Sequence, residues 1–175
     1  RWLARRVALG LRGEGYAVVD GGLGSLCREL RFDAERLRRK GLLRPHTFLF
    51  EDSDGVPRKF THTGRHFTDL GGPGGRHDPP VGAEEEAPAL TCFGSDWSRD
   101  LQTALAEEMP ELGLCVDTPP QVKIQVTDGS AGCAPCHYDT SASAPDRQVT
   151  LLFYLGPWAP DGGAELELVP FIREH

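Results

Sequence analysis

Val122-Lys123-Ile124-Gln125-Val126-Thr127 places apolar residues at 122, 124 and 126 and polar ones at 123, 125 and 127. This period of two is the signature of a strand with one covered face. Further on, Val149, Leu151, Phe153 and Leu155 alternate with Thr150, Leu152 and Tyr154. There both sets are largely apolar, which predicts a strand covered on both sides. Leu166 and Leu168 alternate with Glu165 and Glu167, predicting a strand with one wet face. Asp128-Gly129-Ser130 and Asp161-Gly162-Gly163 supply turns between them. From Pro119 onward the pattern is that of antiparallel strands.

Upstream the period is helical. The first dozen residues predict a short helix with Trp2, Val7 and Leu11 on its apolar side, broken by Gly13 and Gly15. Tyr16-Ala17-Val18-Val19-Asp20 is a β-prone run between glycines and predicts a first strand. Ser25 opens a helix with Leu26, Leu30, Ala34 and Leu37 on one face, stopped by Gly41, and His46 to Phe50 is another short apolar run. Residues 71–89, rich in Gly, Pro and Glu, predict a mobile surface loop that buries nothing useful. A further helix is predicted from a cap at Ser95 or Asp96, through Trp97, Leu101 and Leu105 to Met109, with Pro110 ending it. Helices first and strands after predict an α+β fold built around a sheet sandwich or barrel.

The length, 175 residues, suits one domain, and 39% hydrophobic residues provide a modest core. The 21 glycines and 14 prolines favour turns and short strands over a helical bundle. The net charge is -7, unevenly spread: residues 1–44 hold 11 Lys/Arg against 5 Asp/Glu, and residues 45–175 hold 8 against 21. An acidic body argues against nucleic acid as a partner, since phosphate contacts need a basic surface. No apolar run reaches the roughly 18 residues of a membrane span. Five scattered cysteines argue for a reducing compartment, cytoplasmic or nuclear, over a disulfide-stapled secreted fold. The basic run Arg1 to Arg12 suits the polar face of a helix or the remnant of a transit peptide. Arg1 and His175 both read as cuts within a longer protein.

Cys133-Ala134-Pro135-Cys136-His137-Tyr138-Asp139 concentrates the chemistry-bearing residues, and three readings compete for it. On an extended segment His137 and Asp139 project from one face and offer an imidazole and a carboxylate to one metal. Cys133-x-x-Cys136-His137 also matches the attachment motif of c-type haem. Thirdly, the two cysteines and His62-x-x-x-His66 have spacings acceptable for zinc, although the two halves are far apart in the chain.

The context of the first reading is recognisable. The segments Val122 to Val126, Gly132 to Asp139, Arg147 to Leu155, Trp158 and Asp161 to Pro170 together resemble the iron(II)/2-oxoglutarate dioxygenases. Within that superfamily they are similar to the prolyl 4-hydroxylase branch, including its hypoxia-sensing members. The resemblance covers residues 119–175 and reaches weakly back to the run at 16–20 and the helix after it. It implies a double-stranded β-helix, the jelly-roll or cupin-like core, incomplete at the C-terminus of this chain and supported by N-terminal helices. Residues 1–118 would hold those helices, the first strand and the loop 71–89, and residues 119–175 a partial core carrying His-x-Asp, all within one domain.

Residue by residue, the resemblance implies that His137 and Asp139 bind Fe(II). It implies that Tyr154 holds the distal carboxylate of the co-substrate 2-oxoglutarate, that Thr150 lines the same pocket, and that Arg147 stands near the substrate entrance. O2 is the second co-substrate, succinate and CO2 are co-products, and ascorbate is a common auxiliary. The implied substrate is a prolyl residue in a polypeptide. Residues 71–89 or the segment His62 to Asp69 would serve as a closing flap. The second iron histidine of the family, and the Arg or Lys that pairs with 2-oxoglutarate, would fall beyond His175, which reads as a surface residue. Thr127-Asp128-Gly129 stands where the hypoxia-type enzymes often carry a tyrosine. The rival from another class is a non-catalytic binding or scaffold domain that keeps part of the fold.

Overall fold

The computed structural model describes residues 1–51, 54–70, 82–128, 139, 147–157 and 166–168. Its elements follow in the order α1 (Trp2–Glu14), α2 (Leu26–Arg39), β1 (Arg44–Glu51), β2 (Pro57–Asp69), α3 (Ala83–Glu86), α4 (Pro88–Cys92), α5 (Ser98–Glu108) and β3 (Lys123–Thr127). The described residues are a mixed α+β arrangement around an antiparallel sheet of order β1-β2-β3.

Each helix ends where the sequence changes chemistry. α1 runs through Gly13 and stops at Gly15, whose φ of 77° turns the chain left-handed while its N–H bonds Leu11 O. α2 buries Leu30, Ala34 and Leu37, three of its four predicted apolar positions. It closes with the N–H of Gly41 on Arg38 O and that of Leu42 on Leu37 O, and Gly41 has φ of 69°. That pair of bonds is the Schellman stop, which glycine accommodates without a Cβ clash.

Residues 82–92 overturn the expectation of a loop that buries nothing. α3 and α4 form there, and Ala83, Ala87 and Leu90 are buried in one cluster with Leu30, Ala34, Leu37, Leu43, Phe93 and Ile124. The cause is tertiary: the Asp33 carboxylate on α2 accepts the N–H groups of Ala89 (2.7 Å) and Leu90 (3.2 Å), capping α4 from another helix. Helical structure therefore begins at Pro88, ahead of the predicted cap at Ser95 or Asp96. It continues through one π-helical turn (Phe93–Trp97) into α5. Residues 71–81 lie outside the described residues.

A second core joins Ala4, Val7 and Ala8 of α1 to Leu101, Leu105 and Met109 at α5. Beside it Arg1, Arg5 and Arg12 meet Glu107, Glu108 and Glu111 at 3.6, 3.6 and 2.6 Å. These arginines thus form the polar edge of a packed helix. The expected strand at 16–20 is absent, because the segment lies against α1 and finds no ladder. A Cβ on Gly10 would fall 2.5 Å from Ala17 Cβ, so glycine permits that approach.

The sheet draws on both sides of residue 118. β1 and β2 belong to the N-terminal part, and β2 pairs with β3 from Arg65↔Thr127 to Asp69↔Lys123. Backbone bonds extend that ladder at both ends, from Asp128 N to Gly64 O and from Leu70 N to Val122 O. The segment His62 to Asp69, expected as a flap, is thus part of the central strand. In β3 the predicted alternation holds: Ile124 is buried and Val126 half-buried against the α2 cluster, while Lys123, Gln125 and Thr127 point the other way.

Residues 147–157 join no ladder among the described residues. Their alternation persists in part, since Val149, Phe153 and Leu155 press on the helical cores while Leu151 is exposed. The expectation of two covered faces fails: Leu152 and Tyr154 are 55% and 63% exposed, and among the described residues the helix-facing side alone meets an apolar surface. Leu166 and Leu168 are likewise exposed, with no described element packed on either. No described helix is long and apolar enough to cross a membrane.

Candidate functional site on the polar face of the sheet

The two faces of the sheet differ in chemistry. Ile124 and Val126 meet the helices, and Thr68, their neighbour on β2, is fully buried. On the opposite face of β2 the odd-numbered residues Arg65, Phe67 and Asp69 stand across from Thr127, Gln125 and Lys123. Arg65 is 9% exposed and Asp69 only 3%. Withdrawing charged groups from water on a non-core face is costly, so such placement marks a candidate site.

His46 joins this face through an irregularity. The register runs from Pro45↔His66 to Thr47↔Thr61, so His46 stands opposite residues 62–65. Register breaks of this kind re-aim side chains. The His46 ring lies edge-on to Phe67, with centroids 5.2 Å apart and an interplanar angle of 80°. The Lys123 ammonium lies 5.3 Å from the centre of the same Phe67 ring. Lys123 as a whole residue is exposed, yet desolvation of its ammonium is the largest influence on it and lowers its pKa below the usual lysine value. Asp69 opposes that shift, Arg65 and Arg147 add to it, and Asp139 opposes it.

Two sequence-derived site residues, Asp139 and Arg147, are joined to each other beside β3. Arg147 donates through Nη1 to the main-chain O of Asp139 at 2.7 Å and through Nη2 to Gln121 Oε1 at 3.1 Å. Gln121 precedes β3 by two residues, so Arg147 fastens Asp139 beside the strand that carries Lys123. Arg147, expected near a substrate entrance, ties the main chain at Asp139 to Gln121. Thr150 and Tyr154 stand apart: both are exposed, and no described hydrogen bond links either to Asp139 or Arg147. Both lie on the side of residues 147–157 turned away from the helices.

His137, Cys133 and Cys136 lie outside the described residues, as do Trp158 and His175. Of the zinc reading's other pair, His62 and His66 both lie on β2. Among the described residues no three His, Cys, Asp or Glu side chains gather as a metal site. Cys27, Cys92 and Cys115 are free thiols.

The sequence reading missed His46, Arg65, Asp69 and Lys123. For Lys123 a signal existed, since it sits at an alternating position of the β3 pattern just ahead of the Cys-x-x-Cys-His segment. For His46, Arg65 and Asp69 the signal is the β1–β2 register, which local periodicity does not contain. No family model matches the chain, and no similar curated protein or solved structure was found.

Proposed function

We propose that the protein is an Fe(II)- and 2-oxoglutarate-dependent dioxygenase with a double-stranded β-helix core, hydroxylating a substrate C–H bond, with a prolyl residue of a polypeptide as the favoured target. The observation that carries this reading is a sheet with one face on helices and the other holding the buried charges Arg65 and Asp69, with Asp139, of the His-x-Asp pair, fastened beside β3 through Arg147 and Gln121. A ligand site inside a β-barrel needs one face supported and the other polar. The donor chemistry fits, since a carboxylate and an imidazole with positions left open suit Fe(II). Arg147 grips Asp139 through its main-chain oxygen, not its carboxylate.

When bound, iron with 2-oxoglutarate and O2 supplies the oxidant for C–H hydroxylation, with succinate and CO2 as co-products and ascorbate as an auxiliary reductant. The chain's own contribution is positional. His137 and Asp139 hold the metal, Arg147 and Gln121 fix the main chain at Asp139, and the charged face binds the anionic co-substrate. Thr150 and Tyr154 remain proposed pocket residues on the side away from the helices.

An anaerobic titration of the protein with Fe(II) and 2-oxoglutarate, followed by visible absorption, tests this. The expected result is a weak charge-transfer band that needs both additions and disappears in His137→Ala and Asp139→Ala. Binding of 2-oxoglutarate with no such band would favour the non-catalytic binding domain. An intense haem spectrum would replace the dioxygenase reading with that of Cys133-x-x-Cys136-His137.

A further inference from the structure

We infer that the cleft between α2 and α4 binds a free α-amino acid with an apolar side chain, an inference independent of the dioxygenase reading. The cleft has a volume of about 370 Å³ and is lined by Arg28, Glu29, Phe32 and Asp33 of α2 and by Pro88 and Ala89 of α4. That volume lies at the lower end of the range of small-molecule sites, roughly 300–1,000 Å³. Phe32, Pro88 and Ala89 supply an apolar wall, and the polar groups beside it are few, as such sites require.

Helical spacing sorts the α2 residues into two rows, Arg28 with Phe32 and Glu29 with Asp33. Arg28 and Glu29 are successive and do not face each other. Among the described residues neither side chain makes a hydrogen bond or an ion pair. One cleft therefore offers a guanidinium to a carboxylate, a carboxylate to an ammonium and an apolar wall to a side chain. An α-amino acid carries those three groups on one carbon, whereas a simple amine or acid leaves one of the two charges without a partner. Asp33, 4% exposed, adds an acceptor: its Oδ2 takes the N–H groups of Ala89 and Leu90, and its Oδ1 accepts no bond among the described residues. The wall is already in place. The Arg36 guanidinium lies 4.8 Å from the centre of the Phe32 ring while its Nη1 donates to Glu86 O at 3.2 Å. Arg36 is thus engaged, Arg28 is the cation left for a ligand, and a pre-set ring lowers the ordering cost of binding.

Calorimetric titration of the protein with L-phenylalanine, phenethylamine and 3-phenylpropionate tests this. The second and third keep the ring but lack the carboxylate and the ammonium, respectively. L-Phenylalanine is expected to bind saturably. Each truncated ligand binds on the order of tenfold more weakly, since one charge-assisted contact is lost. Arg28→Met weakens L-phenylalanine by a similar factor and leaves phenethylamine unchanged. Glu29→Gln weakens L-phenylalanine and leaves 3-phenylpropionate unchanged. Both side chains are exposed, so neither substitution disturbs a core, and circular dichroism confirms the fold of each variant. Absence of saturable heat with L-phenylalanine overturns the site, as does undiminished binding in both variants. Phenethylamine or 3-phenylpropionate binding as tightly as L-phenylalanine overturns the assignment of an amino acid. Each of these outcomes leaves the Fe(II) and 2-oxoglutarate titration to decide the dioxygenase reading separately.

Discussion

Asp33 shows how much one side chain can organise. Its carboxylate, 4% exposed, bonds two N–H groups in the first turn of α4 and so joins α2 to the long helical segment. Removing it leaves two donors without a partner at a buried helix start. Asp33→Ala is expected to lower stability by about 2 kcal/mol, and Asp33→Asn, which keeps one acceptor, by less. Urea unfolding with an unchanged m-value measures both. Gly94 works by absence: a Cβ there would fall 2.8 Å from Leu70 O, so glycine lets the end of β2 reach the π-helical turn. Neither role can be read from local sequence. Asp33 looks like an ordinary polar position on a helix, and Gly94 looks like a weak point in one.

Among the elements, residues 147–157 and the helical segment Pro88–Glu108 depend on each other. Phe93 and Trp97 stack with centroids 4.7 Å apart, and Phe153 meets them edge-on at 5.3 and 5.5 Å. Trp97 and Phe153 pack against both cores, so this aromatic trio joins them. The π turn from Phe93 to Trp97 carries two of its members. Phe153→Ala is expected to cost about 2–4 kcal/mol and to shift Trp97 fluorescence to the red in the native state. Unchanged stability and emission would mean that residues 147–157 are dispensable to the cores. The alternation at 149–155 gave three of the inward residues, Val149, Phe153 and Leu155, but not Leu151, which is exposed. It could not show that the opposite set, Leu152 and Tyr154, is exposed, because apolar character does not reveal whether a covering layer is present.

Over the whole molecule the charge asymmetry of the sequence becomes a set of ties between the basic N-terminal part and acidic residues in mid-chain. The basic edge of α1 faces acidic residues at α5 and just beyond it, and Lys40 at the end of α2 reaches Glu86 of α3 at 2.8 Å. The hydrogen bond from Lys40 holds the Glu86 carboxyl below its ordinary value of 4.5, and the bond from Arg12 does the same for Glu111. A carboxyl whose folded pKa is depressed contributes stability in full above its unfolded value and loses it as pH falls through the folded value. The melting temperature is therefore expected to fall as pH drops below 4.5. In the double variant Glu86→Gln, Glu111→Gln that acid limb becomes shallower. An identical acid limb in the variant would assign the acid sensitivity to other groups.

By itself the sequence determined what depends on neighbours along the chain. It set the period of α2 and its Gly41 stop, the alternation of β3, the end of α5 at Pro110, the inward set Val149, Phe153 and Leu155, and the His137-x-Asp139 pair that directs attention to a metal. Tertiary structure alone decided what depends on contacts between distant residues. It supplied the cap that turns residues 83–92 into helix, the surface that turns residues 16–20 away from a ladder, the β2 register that gathers Arg65, Phe67 and Asp69 opposite Lys123, and the bonds from Arg147 to Asp139 and Gln121. The physical reason is range. Periodicity and capping act within a few residues, whereas a ladder, a carboxylate cap or a charged face requires partners that only folding brings together.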